Sequence, residues 1–528
     1  MRDFQLPGRS TVHAANGMAA TSHPASTLAA VEMLRQGGNA VDAAVTAAAV
    51  QAVVEPQSTG IGGDCFLLYA PAGGAEVIGL NGSGAAPLAA EVGWYRERGM
   101  ELIGLDSPHA VTVPGAVDAW VSVLEAHGSR DLAQVLAPAI AYAEEGFCVS
   151  PRSVFDWRAN EAKLAADPTA ARLFLRDGKA PEAGTPIRQP ELAETLRRIA
   201  REGRAGFYEG PVAEDIVARL RGLGGLHGLE DLARHRGQWV EPIRRSYRGY
   251  EVFECPPNGQ GIAALIMLGI LEGFDLAALE PLSVQRLHLE GEATRLAYWV
   301  CENAVTDPDR VAVPVAEMLS EASIEALRAR IRPDRMADDI PTTKPMHPDT
   351  VYITVVDRER NCMSLINSLC FAFGSGLMAP RSGVFLQNRG SSFSLDPEHA
   401  NVIAPGKRPR HTIIPGMLAK AGRALMPFGV MGGQFQPVGQ THVLTNLLDH
   451  GLDLQASIDL ARGFHFGGSY ALERGIPDAT LQALAAMGHP VTRPKKPHGS
   501  GQAVWIDWEK GTLVGGSDPR KDGIALGY

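Results

Sequence analysis

An α+β fold is predicted by two observations: helix-patterned and strand-patterned runs alternate along the 528 residues, and one pair of apolar runs reads as a long β-hairpin. The first run covers residues 347–357 and is dominated by β-branched and aromatic side chains, which suit a pleated, half-buried surface. A polar turn, Arg358-Glu359-Arg360, separates it from a second apolar run over residues 361–369. If the two runs fold back about Glu359, Asp357 faces Asn361 and, counting outward, Thr350 faces Ser368. Directly opposed side chains of an antiparallel pair touch, so two hydroxyls are expected to meet where the chain enters the strand.

Hydrophobic residues make up 45% of the chain and charged residues 20%, enough apolar material for a sizeable core. The length would accommodate about three domains of ~150 residues. A formal net charge of −10 argues against a nucleic acid or an anionic membrane as partner. The six cysteines (Cys65, Cys148, Cys255, Cys301, Cys362, Cys370) are scattered without a CxxC and read as reduced thiols. Residues 1–9 carry no apolar run of signal-peptide length, and no stretch approaches the ~18 apolar residues of a membrane span. A cytoplasmic protein is expected.

The elements follow in order. Residues 23–36 have a helical pattern. Residues 39–54 form a second helix, so uniformly small and apolar that it is buried on most sides. Gly60-Ile61-Gly62-Gly63 invites comparison with a dinucleotide loop, but the third glycine of that fingerprint would fall at Cys65 and no strand precedes it. It reads instead as a tight turn into a strand over 65–69. Amphipathic helices are predicted over 131–145 and 191–202. Pro256-Pro257-Asn258-Gly259-Gln260-Gly261 is a turn before a helix over 262–271, and residues 283–297 are helical. After the hairpin come a strand over 380–386 and the polar loop Gln387-Asn388-Arg389-Gly390-Ser391-Ser392.

Residues 341–349, Pro-rich and polar, form a linker without periodicity. A threonine at the junction of linker and strand, freed by cleavage of the Asp349–Thr350 bond, would carry nucleophile and base in one residue. Its hydroxyl attacks, and its α-amine, with a reference pKa of about 7.7–8.0, accepts the proton. The β-branch limits the rotation of that hydroxyl. No HExxH, Cys/His cluster or acidic cage is present, so neither a catalytic metal nor a cofactor is inferred.

Thr350 with Thr354-Val355-Val356-Asp357 resembles the strand that heads the small subunit of the gamma-glutamyltransferase family of N-terminal-nucleophile hydrolases. Gly17-Met18, Ser22-His23-Pro24, residues 37–44, residues 55–63, Val113-Pro114-Gly115, Gly516-Ser517-Asp518-Pro519-Arg520 and Gly527-Tyr528 fit the same family in order. The resemblance implies a four-layer αββα sandwich and cleavage into a large subunit, 1–349, and a small subunit, 350–528. The two stay together, with a dimer of heterodimers as the expected assembly. It further implies Thr350 as nucleophile, Ser368 as the hydroxyl that orients it, and Gly432-Gly433 as the oxyanion-hole pair. Glycine suits that place because its backbone N–H can approach a substrate closely.

The binding loops depart from the family pattern. Glutamyl transferases hold an α-carboxylate with an arginine where this chain has Gly79-Leu80-Asn81-Gly82-Ser83. They hold an α-ammonium with acids in the loop that here reads Asn388-Arg389-Gly390-Ser391-Ser392-Phe393, and their paired serines are replaced by Arg410-His411-Thr412. An acidic cup has become cationic. Arginine grips a carboxylate through its planar fork, so Arg389, with Asn388, Ser392, Arg410, His411 and Thr412, is a candidate for binding a small anionic amide. These loops resemble the transferase-like branch that includes oxamate amidohydrolase. A self-processing amidohydrolase of an oxamate-like substrate is therefore expected. The alternatives are a glutathione or gamma-glutamyl hydrolase or transferase, a cephalosporin-type acylase, and an inactive relative that only binds.

Overall fold

The computed structural model describes residues 8–342 and 349–528, with Asp349 described by its backbone alone. Residues 1–7 of the N-terminal stretch and residues 343–348 of the linker, including the first two of the expected strand, lie outside the described residues.

Two seven-stranded antiparallel sheets form the centre. The first runs in the order Ile524–Gly527, Met18–Thr21, Asp349–Val356, Cys362–Cys370, Asp64–Ala70, Ile78–Gly82, Gln238–Val240. The second runs Val12–Ala14, Thr512–Ser517, Ser500–Asp507, Arg423–Met431, Gly416–Lys420, Tyr250–Glu254, Ile243–Tyr247. Alternation along each strand divides the core into three apolar layers. Leu67, Ile353, Val355, Met363 and Leu365 pack against helices Pro24–Arg35 and Ala40–Val54. Their neighbours Phe66, Leu68, Tyr352, Val356 and Ile366 pack against Phe253, Met417, Ala424 and Val504 of the second sheet. The far face of that sheet, with Val252, Leu418, Met426, Phe428 and Val430, packs under helices Gly261–Glu272, Val284–Ala304 and Phe435–Leu448. Helix, sheet, sheet, helix is the four-layer order expected.

The all-buried helix expected over 39–54 is Ala40–Val54, and each of its 15 residues is buried. Its start is fixed twice. Asn39 and Asp42 form a capping box, and Asp357, at the tip of the central hairpin, accepts the Ala40 N–H at 2.9 Å. The turn at residues 60–63 and the strand after it, Asp64–Ala70, form as read. A Cβ on Gly63 would stand 2.2 Å from the Ser368 carbonyl oxygen, so glycine lets this turn lie directly on the hairpin.

Two expectations need correction. The helix read over 283–297 is Val284–Ala304, because no glycine or proline interrupts residues 298–304 and Tyr298 and Cys301 continue its buried face. The strand read over 380–386 shrinks to Val384–Phe385, paired with Met378–Ala379. Asp215 accepts the N–H groups of Arg381 and Ser382, and Gly383 turns the chain at φ +70°. Composition suited a strand there, but its ladder donors are taken. Among the described residues no helix is long and apolar enough to cross a membrane.

Candidate active site

The central hairpin pairs Val351 with Asn367 and continues in register to Val356 with Cys362, around the turn expected from the sequence. One irregularity, between Asp349 and Val351, falls at Thr350. The Thr350 and Ser368 hydroxyl oxygens lie 3.1 Å apart, both buried. Ser368 Oγ accepts the Cys370 N–H at 2.9 Å, and an Arg389 guanidinium N–H approaches it at 3.5 Å. Cys370 sits at φ +83°, rare for a residue with a side chain, and turns the chain out of the strand.

Arg389 opens a short 3-10 helix, Arg389–Ser392. The side chain is fully buried: Nη1 donates to Thr412 Oγ1 at 2.7 Å, Nη2 reaches Ser368, and Nε has no partner among the described residues. No described carboxylate forms an ion pair with it. Its hydrogen-bonding neighbours are two hydroxyls.

Gly432 and Gly433 link the strand Arg423–Met431 to the helix Phe435–Leu448 at φ +118° and +59°, angles that favour glycine. Gln260 donates to the carbonyls of Gly433 and Thr412, each at 2.8 Å. Contacts thus run unbroken from Thr350 through Ser368, Arg389, Thr412 and Gln260 to the glycine pair.

The other candidates bind the loops to one another. Asn388 accepts the Phe371 N–H and donates to the Leu105 carbonyl, which occupies its amide. The Ser392 hydroxyl faces the carbonyls of Arg389 and Arg410, at 2.9 and 3.0 Å. Arg410 pairs with Glu302 at 3.3 Å. His411 is fully buried, with Nε2 2.9 Å from Asp64 Oδ2 and Nδ1 accepting the Ile413 N–H. Burial, helped by the Arg389 charge and opposed by Asp64, pulls its pKa down to about 4. The ring is therefore neutral at pH 7, with Nε2–H donating.

Asp64 escaped the sequence reading, which ended the glycine turn at residue 63 and began the strand at 65. Directly across the ladder from Ser368, its carboxylate accepts the N–H groups of Gly84 and Gly115, the Gln387 amide and the His411 ring. It gathers four separate loops around the hydroxyl pair. Asn258 was missed in the same way: it joins Asn81, Ser83 and Pro409. An acid at the head of an otherwise apolar strand was the available signal for Asp64. A cavity of about 1280 Å³ lined by Arg9, Phe155, Arg474, Lys495 and Lys496, among others, contains none of the site residues.

The gamma-glutamyltranspeptidase profile matches residues 26–528. The glutathione hydrolase-like YwrD proenzyme of Bacillus subtilis is 38% identical over 520 residues, covering 97% of this chain and 98% of that protein. The oxamate amidohydrolase proenzyme of Klebsiella pneumoniae is 35% identical over 531 residues, with 97% and 98% covered. The crystal structure of a cephalosporin acylase from Bacillus halodurans matches with a TM-score of 0.93 and 39% identity, over 100% of this chain and 99% of that one.

Proposed function

This chain belongs to the gamma-glutamyltranspeptidase family, N-terminal-nucleophile hydrolases of amides made as proenzymes, and from that premise we propose that it hydrolyses a small amide bearing a carboxylate, such as oxamate, after cutting itself before Thr350. In self-cleavage the Thr350 hydroxyl attacks the Asp349 carbonyl carbon and the C–N bond breaks. The nitrogen becomes the Thr350 α-amine, and water hydrolyses the ester left behind. In turnover the same oxygen attacks the substrate amide, the α-amine takes its proton and passes it to the departing nitrogen, and ammonia leaves. Water then cleaves the acyl-threonine ester to give the second carboxylate. Ser368 Oγ accepts the Cys370 N–H and lies 3.1 Å from Thr350 Oγ1, so it is placed to share a hydrogen bond with the nucleophile and orient it. The Gly432-Gly433 backbone is the oxyanion donor of this scheme.

One observation carries the substrate class: a buried guanidinium two contacts from Thr350 without a described acid beside it. A buried cation is costly without a counter-charge, and a substrate carboxylate supplies one. A cytoplasmic location goes with this reading, supported by six free cysteines, five of them buried. The test measures ammonia release from oxamate beside glutamate release from glutathione, with Thr350→Ala as the control that stays one chain and is inactive. Oxamate is expected to be the better substrate. Faster glutathione hydrolysis, or turnover by uncut wild-type protein, overturns the proposal. A second reading, an acylase for amides with a longer carboxylate-bearing acyl group, is favoured by the match to the cephalosporin acylase along the whole chain. Adding a dicarboxylic monoamide to the panel separates the two.

A further inference from the structure

Ahead of the linker, the chain is held by an ion pair that the chemistry above does not use. On helix Val284–Ala304, Glu292 is fully buried and Arg295 nearly so, and their charged groups meet at 2.7 Å. Both also grip the end of the segment that leads to Thr350. Glu292 accepts the Ala337 N–H at 2.9 Å, and Arg295 donates to the carbonyls of Ala337 and Ile340 at 3.0 and 3.1 Å. The Ala337 and Ile340 side chains are sunk in the helix-side core below. Further along the same stripe of the helix, Tyr298 donates to the Gln434 carbonyl next to the glycine pair, and Glu302 holds Arg410. Positions 292, 295, 298 and 302 share one face at helical spacing.

We propose that Glu292 and Arg295 are positioning residues for self-cleavage: they fix where the chain enters the Asp349–Thr350 bond relative to the glycine pair, and have no part in turnover. This rests on the reading of Thr350 as the cleavage site. Nine residues, 341–349, separate the grip from the bond. Without the grip the nearest remaining hold is Arg330, which donates to the Asp339 carbonyl and carboxylate at 3.0 and 2.8 Å, so the tether to the bond lengthens from nine residues to ten, 340–349. That added slack alone slows ring closure by less than about twofold. Loss of alignment costs far more, on the order of 100-fold for about 1 Å of misplacement.

The experiment follows cleavage of the full chain after cell-free translation, by gel, and then kcat/KM per mole of cut enzyme on the substrate that the panel identifies. Arg295→Ala and Glu292→Gln are expected to lengthen the cleavage half-time tenfold or more. Once cut, both variants should match wild type within about twofold, and Arg295→Lys should be intermediate because it keeps the charge but not the planar fork that spans Glu292 and the two carbonyls. If Arg295→Ala does not fold, Glu292→Gln and Arg295→Lys are judged by the same two rates. Cleavage slowed less than twofold overturns the proposal, as does a parallel fall in cleavage and turnover, which would mean general damage. Wild-type protein that stays whole sinks the reading of Thr350 instead, so the two failures are distinguishable.

Discussion

Arg389 and Glu254 are both fully buried charge-bearing side chains, and they face opposite consequences. Arg389 carries a guanidinium with no described acid beside it, so the missing counter-charge is expected from the substrate. Arg389→Ala removes charge-assisted bonds worth roughly 1.5–3 kcal/mol, and kcat/KM on the anionic amide should fall about 10- to 100-fold, mostly through KM. Self-cleavage uses no external carboxylate and should proceed. Unchanged oxamate kinetics in this variant would remove the cationic pocket from the mechanism. Glu254 escapes by staying protonated: burial drives its pKa well above the usual carboxylate range, and the nearby Gln440 amide offsets only part of this. The sign follows. The unfolded chain ionises near its reference pKa of about 4.3 while the folded one holds its proton, so the site costs stability increasingly as pH rises above that value. Glu254→Gln should therefore raise Tm relative to wild type more at pH 8 than at pH 5, as thermal melts at the two pH values would show. An equal shift at both would mean that Glu254 is ionised in the folded protein.

At the scale of elements, the hairpin was legible because its turn is short and its apolar runs are uninterrupted, which leaves little freedom of register. The meeting of Thr350 with Ser368 followed from that alone. Ser368→Ala deletes one bond to the reacting hydroxyl and should slow cleavage or turnover about 10- to 100-fold without weakening substrate binding. Equal rates in wild type and variant would make the 3.1 Å contact idle. Less was legible where partners lie far apart in sequence. Asp64 draws its meaning from Gly84, Gly115, Gln387 and His411, and nothing local to residue 64 announces them. His411 looked like a substrate donor because it sits in a binding loop, yet Asp64 and the Ile413 N–H occupy both its nitrogens. At 380–386 only the apolar end suits a strand: the distant Asp215 carboxylate takes the N–H groups of Arg381 and Ser382, and Gly383 turns the chain.

Over the whole molecule, the strand order interleaves the residues on either side of position 350. In the first sheet Met18–Thr21 lies between Ile524–Gly527 and Asp349–Val356, and Cys362–Cys370 pairs with Asp64–Ala70. In the second, Val12–Ala14 closes one edge on Thr512–Ser517, while Tyr250–Glu254 joins Gly416–Lys420. Cutting one peptide bond leaves all these ladders intact. The cleaved halves should therefore co-elute on gel filtration, melt in one transition and part only in denaturant. Separation under native conditions would contradict the topology. Interleaving also decides what happens if the halves are made apart. Residues 350–528 alone would keep the central hairpin but leave the outer edge of each of its two long apolar strands bare, the kind of edge that recruits other copies into aggregates. On one polypeptide the missing strands arrive at a high effective concentration and cover those edges first. The bond proposed to be cut for activity is thus the bond that brings the two halves together, and the uncut chain serves as its own chaperone.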